Sequence, residues 1–507
     1  MAMRTMSPKQ ALEEVDARRR DGRLDSARDM AAQIVDQAPE FGPALHMLGL
    51  VEFERGETAA GEALMRKAIR LLPDSAEARA NLGRMLTRAG RYREAADALE
   101  GAHRVAPGNA DITKLLAATL LSWARREMDA GRLDEALAGF ARAEQLDPDF
   151  AKAHTGKGFV LYMLGDWPGC FREYEWRWQD PDFPNKKPPL PGPAWDGGDL
   201  TGKTIALYTE QGLGDTLQFC RYVPLLKARG ARTLLGVQAP LVRLMQSLPG
   251  LDTLVIEGMG SPPFDCHAAL MSLPLLCGTT LETAPAKVPY LAPAADIAAR
   301  WRERLAGLKG LRAGIVWAGG PKHPNDAVRS LDVLDVKPLL DVDGVAWVSL
   351  QKGDKAPDLA RLGDGHGVTD LADELHDFAE TAGAVAGLDL VVAVDTSVAH
   401  LAGALGKPVL LMLPDPPDFR WMWDRSTTPW YPTMRIFRQP ARGDWAAVIA
   451  AVRAEVVKRA TARAQPKARR GPLPPRLATP AAPARRVSRT TSGGAAPRSG
   501  PLPRRAG

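Results

Sequence analysis

Cysteines are scarce in this chain, long apolar runs are absent, and one end has no acidic residues. Each absence removes a class of protein. The four cysteines, Cys170, Cys220, Cys266 and Cys277, show no metal-ligand spacing and are too few to form a disulfide framework for 507 residues. They read as reduced thiols of a cytoplasmic protein. No run of about 18 apolar residues occurs, so no membrane span is expected. The amino-terminal MAMRTMSPKQALEEVDARRR lacks an apolar h-region, so no secretory signal is expected either. From Ala464 to Gly507 there are ten Lys or Arg and no Asp or Glu, which leaves the rest of the chain at about −4 beneath an overall charge of +6. The basic character therefore belongs to a tail. That tail holds hardly any aromatic or branched apolar residue, so 464–507 is expected to be disordered. A solubilising role is the preferred reading, and a nucleic-acid partner is not expected.

The chain is too long for one core, so several domains are expected. A repeat organises its first third. Gly22, Gly56 and Gly90 lie 34 residues apart, as do Pro39, Pro73 and Pro107. Gly131 and Pro148 renew the pattern after a step of 41, and Gly165 follows 34 later. Five residues after each glycine stands a small residue: Ala27, Gly61, Ala95, Ala136 or Cys170. Glycine stops one helix, proline follows the next, and the small residue lets two antiparallel helices pack closely. The seven extra residues between Pro107 and Gly131 are expected to lengthen one helix pair. Residues 7–178 resemble the tetratricopeptide repeat family, with about five units. The resemblance implies a solenoid whose concave face takes a protein or peptide partner.

Residues 179–202, rich in Pro, Gly, Asp and Lys, read as a linker. Alternating strand and helix patterns then begin. A βαβαβ half is expected over 203–295, with one helix from Asp215 to Arg229. A second half is expected over 296–460, its last helix packing back on the first. The fold class expected is α + α/β, a solenoid followed by two Rossmann-like lobes.

The richest stretch is VDTSVAHLAGALGKP, Val394 to Pro408. An apolar run precedes it, good N-cap types open it at Asp395, Thr396 and Ser397, and Gly406 closes its short helix. Such a turn sets free backbone N–H groups and a positive helix end at the carboxyl edge of a sheet, where phosphates bind. His400 lies on its first turn. A second polar loop, EQGLGD, follows the first strand of the first half. Gly212 and Gly214 there allow close backbone approach, and Asp215 opens the next helix as an N-cap or as a general base. The loop is not GxGxxG, which argues against a nicotinamide dinucleotide and against an epimerase.

The pairing of these two segments resembles the bacterial heptosyltransferase family, two-domain glycosyltransferases of the GT-B fold. The repeat-plus-transferase layout is also similar to peptide O-linked N-acetylglucosamine transferases. The resemblance implies that Asp215 is the base or acceptor contact and that Asp395, Thr396 and His400 belong to the donor segment. Ser397 stands where that family usually has glycine. In the loop WAGGPKHPNDAVRS, Gly319 and Gly320 follow a strand, and Lys322 and Arg329 are candidate cations for a diphosphate leaving group. Lys352, after the next strand, is a third. No Asp-x-Asp pair is placed to hold a metal, so none is expected, nor any cofactor beyond a nucleotide sugar as substrate. Trp421, Trp423, Trp430 and Tyr431 read as packing over the crossover between the halves. The function expected is a metal-independent, inverting glycosyltransferase acting on a protein or glycan acceptor recruited by the repeats. The alternative is a non-catalytic repeat scaffold carrying a relic transferase domain.

Overall fold

The computed structural model describes residues 6–321 and 323–464. Lys322 and the basic tail beyond Ala464 lie outside the described residues.

The first helix, Pro8–Arg20, starts where a capping box can form. The Gln10 amide donates to Ser7 Oγ at 3.3 Å, and the Ser7 amide donates to Gln10 Oε1 at 2.9 Å. Pro8 follows the cap, where its missing N–H costs nothing. Helix pairs then repeat: Leu24–Gln37 completes the first, and Gly42–Glu54 with Thr58–Leu71, Ala76–Arg88 with Tyr92–Val105, Ala110–Asp129 with Leu133–Leu146, and Ala151–Leu164 with Trp167–Tyr174 follow. The turn glycines all take positive φ, from 72° at Gly22 to 95° at Gly56, which closes each helix cheaply. A methyl group on Gly61 would lie 2.8 Å from the Gly49 carbonyl oxygen, so this pair meets backbone to backbone. The seven-residue excess lengthens a single helix, Ala110–Asp129, to 20 residues.

Two sheets follow. In the first, β1 (Thr204–Tyr208), β2 (Arg232–Val237), β3 (Thr253–Ile256) and β4 (Cys266–Ala269) run parallel in the order β3-β2-β1-β4. In the second, β5 (Leu311–Val316), β6 (Val345–Ser349), β7 (Thr369–Asp370), β8 (Leu390–Val394), β9 (Val409–Leu413), β10 (Thr427–Thr428) and β11 (Tyr431–Arg438) take the order β10-β11-β9-β8-β5-β6-β7. Only the β10–β11 pairing is antiparallel. The central strands β8 and β9 are buried along their whole length, which is why they read as unbroken apolar runs.

Two expectations need correction. The helix expected over 215–229 is interrupted. It runs Leu213–Phe219, tightens to a 3₁₀ turn at Cys220–Tyr222, and resumes at Val223–Ala228. Pro224 cannot donate to a continuous ladder, so the break falls just before it. The last helix, Trp445–Ala464, does not pack back on the first half. Its apolar face, Val448, Ile449, Val452 and Val456, shares one core with Leu311, Ile315, Val392 and Leu410 of the second sheet. The first half is joined to the second by another route. Tyr162, Trp167, Phe171 and Tyr174 of the last repeat enter one core with Leu217, Phe219 and Tyr222 and with Trp421, Trp430 and Tyr431. The connection from β3 to β4 carries no helix. The linker segment around Asn185 and Pro188 and the side chain of Phe264 stand over the sheet there. They enclose a cavity of about 330 Å³ beside Tyr208, Glu210 and Ile256.

Candidate functional site

The carboxyl ends of β1 and β8 face each other. After β1 the chain turns through Glu210–Gly212 into the helix that begins at Leu213. The N-cap of this helix is Gly212 and not Asp215, which stands at its third residue and accepts from the Gly212 amide at Oδ2, 3.0 Å away. After β8 the chain turns at Asp395 and Thr396 into the helix Ser397–Ala404. No side chain caps that helix, and the buried Thr396 hydroxyl has no hydrogen-bond partner. Gly214 joins the two loops. A methyl group there would lie 3.0 Å from His400 Cδ2 and 3.6 Å from Ser397 Cα. Glycine is needed because the halves touch at this residue.

His400 is packed. Its Nδ1 shares a hydrogen bond of 2.9 Å with the Tyr431 hydroxyl, and its ring lies against Trp421, centroids 5.2 Å apart. Burial, followed by the charges of Arg420 and Arg221, pushes its pKa down to about 3, so the imidazole is neutral. Asp395 Oδ1 lies 3.9 Å from His400 Nε2. Burial, then the neighbouring Asp418 carboxylate, pushes the Asp395 pKa up to about 6.

Arg420 is the centre of the cluster. Its Nη2 donates to Asp215 Oδ1 at 2.5 Å and to Gln211 Oε1 at 3.3 Å. Its Nη1 reaches both oxygens of Asp418 at 3.0 Å. Its buried Nε has no partner. Arg420 and Asp418 were not legible in the sequence, because their stretch, DFRWMWDR, draws attention for its aromatics. The only signal was an Arg between two aspartates, Asp418 and Asp424, in an aromatic stretch.

The loop after β5 also contributes. A methyl group on Gly319 would meet Asp326 Oδ1 at 2.4 Å and Arg329 Nη2 at 2.5 Å, so Arg329 folds back over this glycine. Arg329 pairs with Asp326 at 3.3 Å and, with Arg420, acts on the charge of Asp395. Gln351 pins the end of β5, accepting from the amides of Trp317 and Ala318 at 3.1 and 3.0 Å. Lys352 is a correction. It is exposed, and its ammonium donates to the Ala372 carbonyl across the β6–β7 connection. No described contact joins it to Asp215, Asp395 or Arg420. Trp421 and Trp430 are buried packing residues, and the Trp430 indole donates to the Tyr162 hydroxyl of the solenoid at 2.6 Å.

Comparison with known proteins bears on both regions. Residues 12–75 and 46–110 match a tetratricopeptide repeat family model, and 124–165 match a TPR repeat model. Protein FlbA of Caulobacter vibrioides is 25% identical over 512 residues, spanning 83% of this chain and 85% of FlbA. The solved glycosyl transferase family 9 structure from Veillonella parvula aligns with 53% of this chain and 99% of its own, at 12% identity and a TM-score of 0.40. MamA from Desulfovibrio magneticus aligns with 33% of this chain and 90% of its own, at 19% identity and a TM-score of 0.26. The helical first third of the chain thus carries tetratricopeptide repeats, and two α/β lobes built on largely parallel sheets follow it.

Proposed function

We propose that this chain is a glycosyltransferase. It moves a sugar from a nucleotide-diphosphate sugar to an acceptor brought by the repeats. One observation carries the reading. The glycine-bearing loop that ends in Asp215 is pressed, at Gly214, against an uncapped helix start at Ser397. An acidic group and an anion-binding turn thus meet at the carboxyl edges of two parallel sheets, where ligands of open α/β folds bind.

In this reading the first-turn amides of Ser397–Ala404 and the guanidinium of Arg329 hold the diphosphate. The acceptor hydroxyl gives its proton to Asp215 as its oxygen bonds to the anomeric carbon. The bond from that carbon to the diphosphate oxygen breaks on the opposite face, which inverts the centre. The developing charge falls on the diphosphate, where fixed N–H groups stabilise it without a metal or a further cofactor. The cavity under the linker, lined by Glu210 and Gln211 of the loop that leads to Asp215, is the place this reading gives to the acceptor. The concave face of the solenoid is the place for a protein partner. The free thiols of Cys170, Cys220 and Cys266, all buried, suit the cytoplasm, and no described helix is long and apolar enough to cross a membrane.

The non-catalytic scaffold is favoured by one observation, the ion pair that occupies Asp215. Incubation with a panel of radiolabelled nucleotide sugars separates the two readings. Transfer or slow donor hydrolysis that is lost in Asp215→Ala supports the enzyme. Donor binding and turnover absent across the panel, in folded protein, support the scaffold.

A further inference from the structure

We propose that Arg420 is an exchangeable lock on Asp215. Its guanidinium holds the carboxylate while the donor site is empty and turns to the donor's diphosphate when the site fills, freeing Asp215 for the acceptor. The inference rests on the transferase reading and adds a control to the same site.

The geometry supports an exchange rather than a fixed brace. The Asp215 oxygen that accepts from Arg420 at 2.5 Å commits one of its lone pairs to the guanidinium, in competition with an acceptor hydroxyl. The other Asp215 oxygen holds the Gly212 amide. Arg420 therefore competes for the carboxylate that a base must present to its substrate. The guanidinium has two differently held edges. Nη1 is fixed by both oxygens of Asp418, whereas Nε is buried without a partner and Nη2 bridges Asp215 and Gln211. A guanidinium edge with an unsatisfied N–H suits a planar, bidentate oxyanion, and a diphosphate brings more charge than one carboxylate.

The backbone around Arg420 does not have to move. Phe419 stacks on Phe159 of the solenoid at 4.3 Å, and Trp421 lies against His400. Asp418 also accepts from the Arg420 amide at 3.0 Å, which fixes the turn that carries the side chain. Only the guanidinium has to swing, and the anion turn lies within its electrostatic reach, since Arg420 acts on both Asp395 and His400. The aromatic residues that hold Phe419, namely Phe159, Tyr162 and Tyr174, come from the last repeat. The solenoid thus fixes the pivot of the lock.

The test is a double-mutant cycle read by titration calorimetry with ADP, GDP, UDP and inorganic pyrophosphate. Asp215→Asn removes the competing anion and keeps the shape, so diphosphate affinity should rise by about tenfold. Arg420→Gln should lose about tenfold or more, and Arg420→Lys, which keeps the charge without the fork, should fall between. The gain from Asp215→Asn should vanish in the Arg420→Gln background. A residue that only caps its helix predicts no such gain. Thermal melting of each variant establishes that it is folded. Wild-type binding without a gain in Asp215→Asn, or a gain that survives Arg420→Gln, overturns the lock and leaves the transferase reading standing. No diphosphate binding by either the wild type or Asp215→Asn overturns both.

Discussion

Asp395, just before the helix, and His400, within it, have opposite protonation needs, and their effects on stability oppose each other. His400 has an ordinary pKa of 6.5 and is pushed to about 3 in the fold. As pH falls from 6.5, the unfolded chain takes up a proton that the folded chain refuses, so this residue removes stability progressively. Asp395, ordinarily 3.8, is pushed to about 6. Between those values the folded chain keeps a proton that the unfolded chain has lost, so this residue removes stability as pH rises. Replacing one exposes the other. Melting curves from about pH 4 to 6 should show His400→Asn losing stability with rising pH relative to the wild type, and Asp395→Asn gaining it. Two profiles parallel to the wild type would contradict the assigned environments. At Asp215, replacement by Ala should lower transfer by about 10²–10⁴-fold, the usual contribution of a positioned base, with the melting point within a few degrees of wild type. Initial rates under saturating donor measure it, and normal turnover would remove Asp215 from the mechanism.

At the level of elements, glycine and proline spacing made the solenoid readable, because each device acts locally. Gly56 must adopt positive φ, and Gly61 must lie flat against Gly49, whatever the rest of the chain does. Gly61→Ala should therefore cost about 1–3 kcal/mol, the usual penalty for overpacking. Denaturant unfolding of the variant would show it as a lower midpoint at unchanged slope. The turn before Ser397 was legible for the same reason, since an apolar strand, cap-type residues and a stopping glycine lie within one short segment. Elements set by distant partners were harder to read. The apolar face of Trp445–Ala464 says that the helix is buried but not against which sheet, and the structure puts it on its own. Arg420 and Lys352 are both cations beside strand ends, and only tertiary packing decides that the first meets Asp215 and the second the Ala372 carbonyl.

Across the whole molecule, the last repeat holds the two lobes together. Tyr162 binds the Trp430 indole of the second lobe, and Arg177 binds Glu210 of the first at 2.9 Å, both contacts being buried. Tyr162→Phe leaves a buried indole N–H unsatisfied and should cost about 1–3 kcal/mol, read as a lowered melting point. A fragment of residues 180–464 should expose Phe219, Tyr222 and Trp430, bind a hydrophobic dye and melt far below the whole chain, whereas an independent catalytic domain would melt as before. The repeats thus serve as a structural wall of the site as well as a surface for partners. The most direct test of the account is the melting temperature of the intact chain against nucleoside diphosphates and their sugars. A bound ligand at about 100 times its dissociation constant adds roughly 2.7 kcal/mol, enough to raise the melting point by a few degrees. The account predicts such a rise with one base and its sugar conjugate, cut to about half in Arg420→Gln at the same ligand concentration if its affinity falls tenfold. No rise with any nucleotide, in protein that melts cooperatively, would contradict it and leave a repeat scaffold with a silent cleft.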